Sequence, residues 1–171
     1  MDSSRISLRP LKLSDANDLL EWAGDDRVTR HSRWNTITSI EEALAYIEKF
    51  ATPHPWYRSI CLDDRSIGFI SVKPESGEDR CRAHVSYVLG ADHWGKGITT
   101  TALRMTISLV FKEFHDLVRL ETVVEIENSA SQRVLEKAGF LKEGHLRKYG
   151  FSKGEIKDVF VYSLLSTDKI L

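Results

Sequence analysis

Cysteine, proline and methionine are all scarce in this chain of 171 residues, at two, four and two copies. Cys61 and Cys81 fall in separate strand-like runs without metal-ligand spacing. They supply neither a disulfide framework nor a metal site, and both are expected to be small buried residues in a reducing, cytoplasmic setting. No apolar run approaches the roughly 18 residues of a membrane span, and the opening MDSSRISLRP lacks the apolar centre of an export signal, so no membrane role is expected. Charge of one sign is missing too. Twenty-four basic residues face 25 acidic ones, a net charge of −1, which gives no field to attract nucleic acid. Repeats, low-complexity tracts and linkers are also lacking, so residues 1–171 read as a single domain.

What is present is an ordinary globular composition, 42% hydrophobic and 29% charged, with a changing period. Residues 5–9 alternate as a strand, and Ser14 is placed to cap a helix over SDANDLLEWA. Ser39 and Glu42 have capping-box spacing ahead of a second helix with Ile40, Ala43, Leu44, Ile47 and Phe50 on one face, stopped by Pro53. The runs 57–62, 66–73 and 81–89 alternate and are separated by turn signals, an antiparallel meander. Leu103, Ile107, Val110, Phe111 and Phe114 mark a helix of about four turns. A strand over 117–126 puts Val118, Leu120, Val124 and Ile126 on one side. A short helix follows with capping-box spacing at Ser129 and Gln132 and a left-handed cap at Gly139, and two strands, 141–151 and 156–165, flank the turn 152–155. The order β-α-α-β-β-β-α-β-α-β-β predicts an α+β fold.

The stretch HWGKGITT, residues 93–100, lies between a predicted strand and a predicted helix. With Gly90 it comes within one residue of the triphosphate loop G-x-x-x-x-G-K-[ST], but Gly97 stands where a hydroxyl should hold magnesium. The dinucleotide pattern fails as well, because Thr100 replaces its third glycine. Two glycines ahead of a helix N-terminus still suit a diphosphate, and no metal is implied. A tight turn that merely needs glycines remains the plain alternative.

YVLGADHWGKGITTTAL, followed by EIENSASQRVLEKAGFLKEG, resembles the GNAT superfamily of acyl-CoA-dependent N-acyltransferases, and within it the ribosomal-protein N-terminal acetyltransferases and their plant relatives. The resemblance runs from SLRPLKLSDANDL to the last strand. It implies a mixed, mostly antiparallel central sheet of about seven strands with flanking helices, acetyl-CoA (coenzyme A) as cosubstrate, and an amine acceptor, peptide or small molecule, in a monomer or homodimer. The family loop [QR]-x-x-G-x-[GA] maps onto Trp94, Gly95, Lys96, Gly97, Ile98 and Thr99. Trp94 and Thr99 depart from the strict pattern, and the β-branched Thr99 could crowd the phosphates. Thr100 follows in the same cradle. The resemblance further implies that strand 81–89 splays from strand 117–126, so that Val88 and Leu89 offer backbone groups to the pantetheine arm, with the Val88 amide as oxyanion donor. Asn128 and Ser131, which share a helical face with Leu135, are implied to contact the pantetheine and the sulfur. Their plain alternative is helix capping.

Thioester aminolysis needs a neutral amine and a thiolate that can leave. At pH 7 an α-amine with a pKa of ~8 costs roughly 1–1.5 kcal/mol to neutralise, a lysine on the order of 4–5, so an N-terminal or weakly basic amine needs less help. Leu135 occupies the position where many superfamily members carry a tyrosine acid, which leaves Ser131 as the expected acid. His84 stands where close relatives often have Glu and is the expected base, with Glu125 and Glu127 as further choices. Trp34, His31 and Arg33 are implied to shape the acceptor pocket. The function expected is acetyl transfer from acetyl-CoA to a primary amine by direct attack. The alternative is a catalytically idle acyl-CoA-binding module.

Overall fold

The computed structural model describes residues 2–168. Seven strands form one sheet in the order β1-β2-β3-β4-β5-β7-β6. They are β1 (Ile6–Arg9), β2 (Tyr57–Leu62), β3 (Arg65–Pro74), β4 (Arg82–Leu89), β5 (Arg119–Glu125), β6 (Leu141–Ser152) and β7 (Glu155–Leu165). Every neighbouring pair is antiparallel except β4 and β5. The helices are α1 (Ala16–Ala23), α2 (Asp26–Thr29), α3 (Ile40–Tyr46), α4 (Ile98–Glu113) and α5 (Ser129–Lys137). This is the mixed α+β sheet expected.

Alternation sends each strand's apolar residues to two cores. On one side Ala83, Val85, Leu89 and Leu120 meet Ile98, Leu103, Ile107 and Val110 of α4 and Leu135 of α5. Each such side chain contributes roughly 1.5–3 kcal/mol by leaving water. On the other side Tyr57 and Phe69 pack against Leu19 and Trp22 of α1 and Ala43 of α3, with Trp34 and Val88 partly covered. The hairpin between β2 and β3 turns on Asp63 and Asp64, both at positive φ (51° and 63°), the geometry a two-residue turn demands. Their carboxylates are held by Arg5 and by Arg9 Nε, the latter at 2.7 Å from Asp64.

Several local expectations are corrected. Ser14 does not cap α1. Asp15 opens that segment by accepting the Lys12 N–H at 2.8 Å, and its buried carboxylate pairs with Arg9 at 2.7 Å. Glu42 turns its carboxylate to the N–H of Thr38, not of Ser39, and Ile47–Ala51 continue α3 as a π-turn. The single turn α2 was not expected from the sequence. Cys81 is exposed, unlike Cys61. Val118 and Ile126 lie beyond the ends of β5 and are exposed. α5 is capped by Asn128, whose Oδ1 accepts the Ser131 N–H at 3.1 Å, in place of Ser129.

The feature that positions the site is how little β4 and β5 pair. Their register runs Arg82↔Arg119, Ala83↔Leu120 and His84↔Glu121, then stops. β4 meanwhile stays paired to β3 as far as Gly68↔Leu89, and β5 to β7 as far as Glu125↔Val159. The sheet therefore opens in its middle. Gly68 makes the close β3–β4 approach possible, since a Cβ there would run into the Val88 carbonyl oxygen and lie 2.9 Å from the Leu89 Cα. Gly68→Ala is expected to destabilise the fold by about 2–4 kcal/mol, read by urea denaturation, because backbone rather than a flexible side chain must move. A change within 0.5 kcal/mol would show that the strands are not held this tightly.

Candidate active site

Backbone parity decides which groups of β4 face the opening. Arg82 O accepts from Glu75 N and Gly90 N donates to Ile67 O, so even-numbered residues turn their backbone toward β3. Cys81 O accepts from Val118 and Arg119 on the β5 side, so odd-numbered residues turn the other way. Tyr87 and Leu89 therefore direct N–H and C=O into the opening, and Val88 does not. Leu89 stands on the side expected of it. Val88 is corrected: its amide faces β3, and the N–H groups turned into the opening are those of Tyr87 and Leu89. The Leu89 carbonyl meanwhile takes the Trp94 indole N–H at 2.8 Å.

A cavity of about 490 Å³ runs through the opening. Asn128 and Ser131 line one end, and His31, Arg33, Trp34, Tyr57, Phe69 and His84 line the other. Ser131 Oγ lies 2.7 Å from the Tyr87 hydroxyl, and the Ser131 carbonyl at 3.3 Å is the alternative acceptor of that hydroxyl's single proton. Burial raises the Tyr87 phenol far above its ordinary range, so the phenol stays neutral and can orient the serine. Leu135 is fully buried in the core and has no part in the cavity.

Across the cavity, His31 Nδ1 and Glu125 Oε2 are 2.7 Å apart, with side chains 30% and 11% exposed. Glu121 is level with His84, so Glu125, four residues on along a parallel neighbour, is level with Val88 at the mouth of the opening. His84 sits at the last paired rung. Burial pushes its imidazole below the ordinary value, with Glu121 and Glu75 opposing and Lys73 and Arg33 reinforcing, which leaves it neutral. It is three residues from Tyr87, about 10 Å along the strand. Glu127 is exposed and 3.5 Å from Lys157. Trp34 both lines the cavity and packs against the second core, 6.4 Å from the Tyr46 ring. The contacts of Tyr87 with Ser131 and of His31 with Glu125 were not expected from the sequence. The YV of YVLG carried the first, whereas nothing local could reveal a contact between residues 94 apart.

The loop ahead of α4 is built for an anion. Gly95 and Gly97 hold φ of 73° and 77°, a region costly for most side chains, and a Cβ on either would meet nothing within 4 Å. No side chain caps α4, and its first intrahelical donor is Thr101 N–H to Gly97 O. The N–H groups of Ile98, Thr99 and Thr100 are left for a ligand, as at any helix start, with the positive end of a 16-residue helix behind them. Lys96 Nζ donates to the Asp92 carbonyl at 2.8 Å and so closes the loop. These groups fit the pyrophosphate of coenzyme A, and the open edge of β4 fits its pantetheine amides. Gly97→Asp is expected to abolish coenzyme A binding by calorimetry, whereas Gly97→Asn, which tolerates positive φ and adds no charge, weakens it about tenfold. Equal affinities for both variants and the parent would make the loop a plain turn.

A family model described as the acetyltransferase (GNAT) domain matches residues 5–141. The uncharacterized N-acetyltransferase p20 of Bacillus licheniformis is 30% identical over 97% of this chain and 96% of its own length. A GNAT-family acetyltransferase from Bacillus anthracis has the same fold, with a TM-score of 0.84 and 24% identity over 94% of this chain and 95% of that one. So does RimL, a ribosomal-protein α-N-acetyltransferase solved with coenzyme A, with a TM-score of 0.83 and 20% identity over 95% and 94% of the two chains. The chain belongs to the GNAT acetyltransferase family and is an acetyl-CoA-dependent acyltransferase.

Proposed function

We propose that the protein transfers the acetyl group of acetyl-CoA directly to the primary amine of a peptide N-terminus or of a small molecule. The observation that carries this reading is the convergence of unlike groups on one opening. A free backbone N–H and a serine held by a phenol lie on its α5 side, and a carboxylate–imidazole pair lies on the acceptor side. An idle binding module would have no use for both.

The coenzyme supplies an activated acetyl thioester. Tyr87 N–H, aimed into the opening by strand parity, stabilises the carbonyl oxygen as it gains charge. Glu125 holds His31 through Nδ1, which leaves Nε2 as the proton acceptor for an incoming amine. We therefore assign the base to the His31–Glu125 pair and not to His84, which lies too deep along β4. Ser131, its oxygen engaged by the Tyr87 hydroxyl, donates its proton toward the departing sulfur.

Purified protein with acetyl-CoA and short peptides of free N-terminus should release thiol, and acetyl-CoA left intact with every α-amine and small amine offered would sink the reading. Ser131→Ala is expected to lower kcat by roughly 10²-fold with coenzyme affinity changed only a few-fold. The same split is expected, more weakly, for Tyr87→Phe. His31→Gln should lower kcat and remove the acidic limb of the pH–rate profile, because a base must be deprotonated to act, whereas Glu125→Gln should lower kcat and keep the limb. His84→Gln should leave that limb in place, and its loss there instead would return the base to His84.

A further inference from the structure

The charged groups lining the acceptor half of the cavity are not equally satisfied. Glu125 is engaged by His31. Lys157 is held by Glu155 at 2.6 Å and Glu127 at 3.5 Å. His84 is kept neutral by burial. Arg33 lines the same cavity, and among the described residues no carboxylate lies within ion-pair distance of it and no acceptor takes its N–H groups. Its side chain is exposed, and its guanidinium reaches the opposite hairpin. It lies over the backbone of Gly150 on β6, where a Cβ would come within 2.8 Å of Nη2. The hairpin carrying Gly150 is tied to the loop carrying Arg33 by Lys153 Nζ, which donates to the Trp34 carbonyl at 2.6 Å. Arg33 is thus an exposed cation at the rim of the cavity, with unused donors and without a counter-charge.

The rest of the acceptor wall is aromatic. Tyr57 and Phe69 stack at 4.8 Å between centroids, and Tyr46 stacks on Phe50 at 5.7 Å. Phe50 and Tyr149 stay 64% and 47% exposed at the mouth. A polycationic acceptor would meet an arginine and apolar rings there, with the one unshared carboxylate missing. An acceptor with a carboxylate some distance from its amine, and an apolar group between them, would meet complementary groups throughout.

Resting on the proposed amine acetylation, we infer that Arg33 is the specificity residue of the acceptor site and binds a carboxylate of the acceptor. The acceptor class is an amine that also carries a distant carboxylate, either an amino acid with an apolar chain between the two groups or a peptide with an acidic residue near its free N-terminus. Arg33 touches the acceptor away from the reacting atoms, so it governs KM rather than the proton transfers.

The test compares matched acceptors with the full chain and acetyl-CoA. They are a peptide with Glu at position two against the same peptide with Gln, 6-aminohexanoate against its amide, and spermidine. The carboxylate form is expected to have a kcat/KM about 10- to 100-fold above its amide, mostly through KM, in whichever pair represents the true source. Arg33→Gln should erase that difference, Arg33→Lys should restore part of it, and Arg33→Glu should turn the preference toward spermidine. Acetylation of amides and spermidine as fast as of the acids, or a carboxylate preference that survives Arg33→Gln, would overturn the assignment while amine acetylation stands. Thiol release with no amine at all would remove the underlying reading and this one with it.

Discussion

The hydrogen bonds that β4 and β5 do not make after the His84–Glu121 rung are the constraint on which the site depends. An unpaired strand edge inside a protein is costly unless something satisfies it. Here each strand keeps its other neighbour over its full length, β3 for β4 and β7 for β5, so the opening does not unravel the sheet. The exposed edge of β4 comprises the Val85 carbonyl and the backbone of Tyr87 and Leu89, and one carbonyl of it is already covered by the Trp94 indole. A ligand with amides along its length is the natural partner for what is left. α5 holds the gap open at the far end, where Tyr87 reaches across to Ser131.

The electrostatics follow a similar economy. The anion site uses helix N–H groups and two glycines at positive φ, and the lysine within the loop spends its ammonium on the loop's own carbonyl. A chain of net charge −1 can bind a pyrophosphate by these means because oriented N–H dipoles act at contact range and need no long-range field. The magnesium hydroxyl that Gly97 denies is not needed, and its positive φ is what allows the loop to feed α4.

The periodicities carried the strand and helix order because burial is decided locally, by alternation and by the α4 face of Ile98, Ala102, Leu103, Ile107 and Val110. Caps were less legible. Ser14, Ser129 and Glu42 have favoured residue types, but Asp15 beside Arg9, Asn128, and the Thr38 N–H won the bonds through tertiary geometry. The site was legible as a loop and an Asn–Ser helix start and illegible in its pairings. Val88 and Tyr87 differ by one position, and only the register with β3 says which of them turns its amide to the opening. His31, Arg33 and Gly150 come together through the β6–β7 hairpin folding back over the loop after α2, which no window of sequence contains.

In the proposed reaction Tyr87 ties coenzyme binding to chemistry in a way that constrains how the site can vary. Its backbone lies in the plane of the sheet and its side chain stands perpendicular, toward α5, so one residue supplies both the N–H in the opening and the hydroxyl against Ser131. In the proposed reaction the oxyanion donor and the phenol that holds the acid, Ser131, are therefore carried by a single Cα. The base is mounted differently, on a loop residue held by the last residue of β5. That loop also carries Arg33 and Trp34. Changes there can re-aim the acceptor without moving the groups that handle the thioester, whereas a change at position 87 would disturb both. In the proposed reaction acceptor specificity is thus free to change at Arg33 and Trp34, while His31 and β4 stay fixed by their parts in the chemistry.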